Sequence, residues 1–144
     1  MTAPIFVDTN VLLYALDEAD RAKHRAAQAW RAALWQSRLG RISFQVLAEF
    51  YANAVRLRSS ARDEARAEIR DLLAWNPLAV DAAAVELGWR YQDRYQLSFW
   101  DSLILAAAKL SACGYLLTED LQTGQVLEGI EVVNPFLTDP AGLL

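Results

Sequence analysis

The sequence predicts an α/β fold in which helices cover a mainly parallel β-sheet. Short apolar runs typical of buried strands occur at residues 5–7, 115–117 and 130–133. Segments with helical periodicity stand between them, and such alternation is typical of helices that connect parallel strands. With 144 residues, of which 54% are hydrophobic and 22% charged, the chain is long enough for one domain of this kind.

Composition also bounds the class of protein and its surroundings. We expect one domain over residues 1–136 and a tail over residues 137–144 that frays. There is no apolar run of membrane-spanning length and no basic segment before Asp8, so neither a span nor a secretory signal is predicted. A single cysteine, Cys113, excludes an intramolecular disulfide, and a single histidine, His24, argues against a Cys/His zinc site. We therefore predict a reducing cytoplasm.

The first half of the chain alternates strand and helix. In order, we predict a strand at 5–7, helices from about 11 and over 20–37, a brief strand from 42 and a helix over 45–57. Gly40 ends the second helix. In the last helix of this half, Val46, Phe50 and Leu57 are spaced to point inward.

The second half is punctuated by helix-capping residues. Ser60 and Asp63 have the spacing of a cap and its acid, and open a helix that ends before Pro77. Ser98 and Asp101 repeat this pattern. In order, we predict a helix from 60 to about 75, a short strand at 78–80, helices over 81–94 and 98–112, and strands at 115–117 and 130–133.

Two acids directly follow predicted strands. Asp8 comes after residues 5–7, and Asp120 follows the strand that ends near Thr118. In open α/β sheets the ligand crevice lies beyond the carboxyl ends of the strands. Both side chains are therefore expected to face one crevice.

Two further acids lie in apolar stretches of predicted helices, Glu49 in VLAEFY and Asp101 in FWDSLI. An ionised carboxylate on an apolar face is costly unless something pairs with it, and no Lys or Arg stands beside either acid. If all four acids met, their repulsion would raise at least one pKa. A hard divalent cation would remove this repulsion, and an all-oxygen site favours Mg²⁺ or Mn²⁺, which suit phosphodiester hydrolysis.

Four motifs resemble those of PIN-domain ribonucleases, most closely the VapC-type toxins of toxin–antitoxin pairs. They are VDTNVLLYA (7–15), FQVLAEF (44–50), SFWDSLILAAA (98–108) and LLTEDLQTGQ (116–125). The resemblance implies a PIN-like three-layer fold with a five-stranded, mostly parallel sheet flanked by helices. It also implies a Mg²⁺- or Mn²⁺-dependent endoribonuclease that leaves a 5′-phosphate and a 3′-hydroxyl, a small DNA-binding, VapB-like antitoxin, and a homodimer.

The family's acidic quartet falls on Asp8, Glu49, Asp101 and Asp120 of this chain. The resemblance makes Asp8 and Asp101 the central metal ligands, with Glu49 and Asp120 completing the pocket. It places polar supporting groups at Asn10, Thr118 and Thr9. Glu119 adjoins Asp120, but strand neighbours point to opposite faces, so only one of the two acids should enter the pocket, and the family pattern selects Asp120.

Each of these features also has a simpler interpretation. Asp8-Thr9-Asn10 is also typical of a turn, Asp101 of a helix cap, and Glu49 of a solvated helix face. The arginines 58, 62, 66 and 70 are favoured as an exposed, ion-paired helix face over a contact for RNA or antitoxin. The tryptophans are favoured as core or interface residues over base-stacking platforms, and Trp100 as a packing residue. His24 is favoured as an exposed bystander and Cys113 as a buried hydrophobe.

Two other classes of function remain open on the residues alone. One is a phosphoryl-transfer α/β domain, receiver-like or haloacid-dehalogenase-like, although Asp8-Thr9-Asn10 lacks the paired first-strand acids of that chemistry. The other is a PIN-fold binding module without catalysis. The formal net charge of −4 argues against binding nucleic acid by simple electrostatics, but bound cations would supply positive charge locally.

Overall fold

The structure, a computed structural model, describes residues 2–144. Five strands and six α-helices alternate along the chain in this part. In chain order they are β1 (Ile5–Val7), α1 (Thr9–Leu16), α2 (Arg21–Ser37), β2 (Gly40–Arg41), α3 (Phe44–Leu57), α4 (Arg62–Leu72), α5 (Ala82–Tyr95), α6 (Phe99–Leu110), β3 (Tyr115–Leu117), β4 (Val126–Leu127) and β5 (Ile130–Val133). Short 3₁₀ helices occupy Ser59–Ala61, Leu73–Trp75 and Pro140–Gly142.

The strands form one sheet in the order β2-β1-β3-β5-β4. β1 pairs in parallel with β2 on one side and with β3 on the other, and β3 pairs in parallel with β5. Only β4 is antiparallel, as the first strand of a hairpin with β5. The predicted α/β class and the five-stranded, mostly parallel sheet are confirmed.

Both faces of the central strand β1 are covered. Ile5, Phe6 and Val7 of β1 are at most 1% exposed, although successive strand residues point to opposite sides of the sheet. A strand buried on both faces needs helices on both sides, and its sequence is then a continuous apolar run. The three-layer arrangement follows from this pattern.

Side-chain caps fix where five of the six described α-helices begin, and Asp8 is the cap of α1. Asp20, Ser43, Asp81 and Ser98 precede α2, α3, α5 and α6, and each side chain accepts a hydrogen bond from a backbone N–H of the first turn. Such caps satisfy N–H groups that have no partner inside the helix. The caps of α3 and α6 matter most for function because these helices carry Glu49 and Asp101.

Several element predictions were wrong in detail. Ser60 lies inside a 3₁₀ helix and does not cap α4, which begins at Arg62 after Ala61. Residues 78–80 form no strand, because only an isolated bridge joins Leu78 to Ser43. Leu57 is 62% exposed rather than inward, since it ends α3 where the helix leaves the core.

The roles predicted for some single residues also need correction. His24 is not an exposed bystander, because its Nδ1 lies 2.8 Å from the carbonyl oxygen of Tyr14 and the side chain is only 14% exposed. Trp30 and Trp75 pack in the core as expected, whereas Trp35, Trp89 and Trp100 are exposed. Cys113 is buried as predicted, and burial raises the pKa of its thiol to about 12.

The four arginines predicted to form one helix face are exposed and only partly ion-paired, but Arg58 follows α3 and does not belong to α4 with the other three. Arg58 lies 3.8 Å from Glu64, and Arg66 donates a hydrogen bond to the Tyr51 hydroxyl.

The segment near the C-terminus contacts α2. The carbonyl oxygens of Pro135 and Thr138 accept hydrogen bonds from Trp30 Nε1. The domain limit at residue 136 stays a prediction. No helix within residues 2–144 combines the length and apolar character needed to cross a bilayer.

Candidate metal centre

The candidate site lies where the strand order reverses in the sheet. β1 is followed along the chain by β2 on one side and pairs with β3 on its other side. A crevice forms beyond the carboxyl ends of strands at such a switch point. Val7 pairs with Leu117 at the last register position, so Asp8 and Thr118, the next residues of the two strands, emerge side by side.

Asp8 is the most buried acid of the site, with 6% of the residue exposed. Its backbone N–H continues the sheet by donating to the Leu117 carbonyl, and its side chain caps α1. The Oδ1 atom accepts from the Thr9 N–H at 2.7 Å, and Oδ2 accepts from the Thr118 hydroxyl at 2.8 Å. The carboxylate is thus fixed by the end of one strand and the start of one helix.

Glu49 reaches the same place from α3. Its Oε2 atom accepts a hydrogen bond from the Thr9 hydroxyl at 3.0 Å, and Oε1 accepts from Gln45 Nε2 at 3.0 Å. Glu49 stands one turn after Gln45 on the helix, and the Thr9 bond ties it to the residue that follows Asp8. The solvated-face alternative for Glu49 is therefore wrong, because the side chain is half-buried and points toward Thr9.

Asp101 and Asp120 complete the acidic group from α6 and from the loop after β3. Asp101 lies in the first turn of α6, where its N–H donates to the Ser98 cap. Its carboxylate lines the same pocket as Asp8. Asp120 accepts from Asn10 Nδ2 at 3.0 Å, and its N–H donates to the Thr118 hydroxyl.

Asn10, Thr118 and Thr9 connect the acids to one another. The Asn10 amide lies within hydrogen-bond distance of Asp8, Thr118 and Asp120 through a single nitrogen, Nδ2. Thr118 bridges Asp8 and Asp120, and Thr9 bridges Asp8 and Glu49. The structure thus brings together all seven residues predicted for the site.

Glu119 lies apart from the pocket. Its carboxylate pairs with Lys23 Nζ at 2.8 Å, and it is absent from the pocket lining, whereas Asp120 is part of that lining. Only one of the two neighbouring acids enters the pocket, as predicted, but both lie in a bend after β3, so strand alternation is not the reason.

The acids line a pocket of about 260 Å³. Three of its polar or aromatic residues were not predicted for the site, namely Gln45, Asn53 and Trp100. Gln45 stands four residues before Glu49, and Asn53 four residues after it, so a helical spacing around Glu49 was the available signal. Trp100 was predicted to pack, but its ring is exposed because α6 begins at the pocket rim.

The electrostatics of the pocket are those of acids without a counter-charge. No Lys or Arg is among its lining residues. Burial above all, together with the charges of Asp120 and Asp101, raises the pKa of Asp8 to about 6, although hydrogen bonds from Thr118 and Thr9 act to lower it. Burial also raises the pKa of Asp101, with further contributions from Asp120 and Glu49.

The donor set fits a hard divalent cation. Besides the carboxylates, Asn10 Oδ1 and Gln45 Oε1 are buried acceptors without a hydrogen-bond partner among residues 2–144. A buried acceptor without a donor is costly, and a cation would satisfy it. Within the same residues, no three His, Cys, Asp or Glu side chains stand close enough to form a complete ligand set by themselves. Amide oxygens and water would have to supply the remaining ligands.

Fold and site together define an α/β protein with an acidic crevice at the switch point of its sheet. Residues 5–126 match the model of the PIN domain family. The chain therefore belongs to the PIN domain family, as the motifs predict, and the family is one of nucleases. No curated protein matches the sequence significantly.

Three solved structures share this fold. One is a toxin–antitoxin complex from Klebsiella pneumoniae, with 23% identity, a TM-score of 0.60, and coverage of 92% of this chain and 98% of that one. Another is VapC20 of Mycobacterium tuberculosis, a sarcin–ricin loop cleaving toxin, with 26% identity, a TM-score of 0.63, and coverage of 78% and 86%. The third is VapBC2 of Rickettsia felis bound to promoter DNA, with 13% identity, a TM-score of 0.61, and coverage of 90% and 97%.

Proposed function

We propose that this protein is a divalent-metal-dependent endoribonuclease, the toxin of a toxin–antitoxin pair that acts in the cytoplasm. The observation that carries the proposal is the convergence of Asp8, Glu49, Asp101 and Asp120 on one pocket that lacks a basic residue. Family membership supports phosphodiester chemistry, and VapC20, a toxin described as cleaving RNA at the sarcin–ricin loop, has this fold.

Asp8 and Asp101 would hold the Mg²⁺ or Mn²⁺ ion, with Glu49 and Asp120 completing the pocket. When bound, such an ion lowers the pKa of a coordinated water and stabilises charge on a phosphoryl oxygen. The chain's own part is to fix the carboxylates, because Thr9, Asn10 and Thr118 hold three of them by hydrogen bonds. Asp8 would gain most from the cation because it is the most deeply buried of the four.

Glu49 and Asp120 have a second role in this proposal, that of orienting the water that attacks the phosphate. Both carboxylates are held by hydrogen bonds, Glu49 through Oε2 by Thr9 and through Oε1 by Gln45, and Asp120 through Oδ2 by Asn10. Asp120 is exposed at the pocket mouth, and its Oδ1 atom accepts no hydrogen bond from residues 2–144. A carboxylate held in this way can accept a proton from water, which an Asn in its place cannot do.

Trp100 would hold the RNA strand beside the acids. Its side chain lines the pocket next to Asp101, yet 61% of the residue is exposed, and Phe99 contacts its ring edge at a centroid distance of 5.4 Å. An exposed indole at the mouth of an acidic pocket offers a stacking face for an unpaired base, and stacking does not depend on charge. This would help an acidic protein bind RNA.

The partners proposed from the motifs are an RNA substrate, a small DNA-binding, VapB-like antitoxin and a second copy of the chain in a homodimer. The structures from K. pneumoniae and R. felis support an antitoxin, because both are assemblies of a toxin with its antitoxin. The family match favours this reading over the receiver-like or dehalogenase-like alternative.

Cleavage of RNA by the purified protein tests the proposal. We expect cleavage with Mg²⁺, loss of cleavage with EDTA, and recovery when Mn²⁺ is added in excess. Asp8→Asn and Asp101→Asn should each lower the rate by about a hundredfold or more, since both remove a charge from the reacting centre. Glu119→Gln is the matched control, because it neutralises an acid beside Asp120 that lies outside the pocket lining.

Cleavage that survives both EDTA and Asp8→Asn would contradict the mechanism. If the wild-type protein binds metal but cleaves no RNA, the non-catalytic binding module becomes the better account of the fold.

A further inference from the structure

A second cavity, of about 640 Å³, lies away from the candidate metal centre. Its lining includes Ser111, which follows the last turn of α6, whereas Asp101 lies in the first turn of that helix. At the rise of an α-helix, ten residues place these two positions about 15 Å apart. The cavity is therefore separate from the acidic pocket, and its volume lies within the range of small-molecule sites.

Two indole rings, those of Trp35 and Trp75, form the aromatic part of the cavity wall. Their centroids are 6.5 Å apart and their planes are inclined by 35°. Trp75 lies against β2, because a Cβ atom at Gly40 would come within 2.5 Å of its ring carbon Cη2. Only glycine at position 40 leaves room for the ring in this place.

Trp35 is exposed but its orientation is supported. The guanidinium carbon of Arg31 lies 4.6 Å from the centroid of its ring, and Arg31 Nη2 is 2.7 Å from Glu68. The ion pair therefore holds the cation against the indole, and 41% of Trp35 remains exposed. An exposed ring that is fixed in advance loses little entropy when a planar ligand stacks on it.

Positive charge is concentrated in this cavity although the protein is acidic. Arg38 and Arg41 line it and no acid does, whereas the whole chain has a formal net charge of −4. Among residues 2–144, no carboxylate lies within salt-bridge distance of either guanidinium. Arg41 Nη1 donates to the carbonyl oxygens of Arg38 and Gly40, which leaves its Nε and Nη2 donors for a ligand.

We propose that this cavity binds a nucleotide unit, whose base stacks on the exposed indole of Trp35 beside the buried Trp75, and whose phosphate pairs with Arg38 and Arg41. Guanidinium groups match the geometry of phosphate oxygens, and an indole stacks on any base. Asn76 and Ser111 supply neutral polar groups at the same cavity. The nucleotide is either free or part of an RNA strand, and binding here does not depend on the proposed nuclease activity.

Calorimetry on the intact protein in EDTA tests the proposal, with AMP in one arm and a short single-stranded RNA in the other. EDTA removes the divalent metal on which cleavage is proposed to depend. Arg38→Ala and Trp35→Ala should each weaken binding by about tenfold, the scale of one charge-assisted contact or one stacked base. The matched controls, Arg90→Ala and Trp89→Ala, remove exposed side chains of the same types outside the cavity and should change nothing.

The two arms distinguish the source of the nucleotide. If Arg38→Ala and Trp35→Ala weaken the binding of AMP, the result supports a site for free nucleotides. If they weaken the binding of RNA alone, it supports a site for a strand. The proposal is overturned if neither ligand responds to the two substitutions. A glutamate-rich peptide and inorganic phosphate are titrated in the same way. The proposal is also overturned if the two substitutions weaken the binding of only one of these ligands and not that of AMP or RNA. Trp35→Phe, which keeps an aromatic ring, guards against a folding defect in Trp35→Ala.

Discussion

Asp8 is the residue that links the most elements at the candidate site. Its N–H ends the β1 ladder, its Oδ1 atom caps α1, and its Oδ2 atom accepts from Thr118. These contacts hold a carboxylate in a place where burial raises its pKa to about 6. Burial of Asp8 lowers the free energy of unfolding, because the ionised Asp8 carboxylate is less favourable in the folded protein than in the unfolded chain.

The stability of the metal-free protein should therefore depend on pH through Asp8. With a folded pKa of about 6 against 3.8, the folded state keeps the Asp8 proton over a range in which the unfolded chain releases it. The free energy of unfolding should then fall as the pH rises from about 4 to about 6, by up to roughly 3 kcal/mol from this group, and level off above that. Urea denaturation in EDTA, compared with Asp8→Asn, isolates the contribution.

Mg²⁺ should reverse this loss. Protons compete with the cation for Asp8, so added Mg²⁺ should stabilise the wild-type protein more at pH 7.5 than at pH 5, and should stabilise Asp8→Asn less at both. Parallel pH profiles for wild type and Asp8→Asn would contradict the assignment of the raised pKa to Asp8.

The exposed position of Trp100 at the pocket leads to a separate prediction about RNA binding. Trp100→Ala should raise KM for RNA by about tenfold, since one base loses its stacking partner, and kcat should change little because the carboxylates stay in place. Trp100→Phe should retain most of the affinity. The control is Trp89→Ala, which removes another exposed indole that lies outside the pocket lining. A loss in kcat with unchanged KM would instead mean that Trp100 positions Asp101.

Strand ends and helix starts assemble the site at the level of secondary structure. β1 and β3 place Asp8 and Thr118 side by side, α3 brings Glu49, and α6 brings Asp101 in its first turn. Glu49 and Asp101 depend on the caps Ser43 and Ser98, which fix the first residue of each helix. A shift of one residue in either helix would turn its acid away from the pocket by about 100°.

Strand β2 and the 3₁₀ helix Leu73–Trp75 approach each other closely at Gly40. A methyl group there would meet the Trp75 ring at 2.5 Å, so Gly40→Ala should lower the free energy of unfolding by about 1–3 kcal/mol through overpacking. Thermal denaturation measures the effect. Gly142→Ala is the control, because a Cβ atom there meets nothing within 4 Å. A Gly40→Ala protein as stable as wild type would show that Trp75 can shift at little cost.

The whole molecule separates its charges. Acids gather in the pocket at the carboxyl ends of β1 and β3, and unpaired arginines line the cavity near the start of β2. Under the proposed function, the acidic pocket would need a cation before it could approach RNA, which is itself anionic. An acidic protein can in this way combine a metal centre with contacts to nucleic acid.

Expression of the chain in a bacterial cell tests its proposed biological role. Growth should slow on induction of the wild-type chain and continue with Asp8→Asn, because only the former would cleave RNA. Co-expression of its small, VapB-like partner should restore growth. Equal growth inhibition by wild type and Asp8→Asn, at equal protein levels, would show that toxicity does not come from cleavage.

Much of this architecture could be predicted from local patterns. The apolar runs of β1, β3 and β5 and the cap Ser98 are local signals that determine where elements begin. β4 is only two residues long and was missed, because so short a strand has no period to detect. Ser60 was assigned as a cap because its spacing from Asp63 is correct, but a 3₁₀ turn moves the start of α4 to Arg62.

The sequence by itself determined the fold class, the family and the four acids, since these depend on residue type and on spacing along the chain. Only the tertiary structure decided which polar groups surround those acids. Asn10 bridges Asp8 and Asp120 across more than a hundred residues, and Gln45 and Trp100 enter the pocket through the packing of α3 and α6. The exposure of Trp35 and Trp100 and the burial of His24 were decided there too. The physical reason is that burial and long-range contacts depend on where separate elements meet, which no local periodicity encodes.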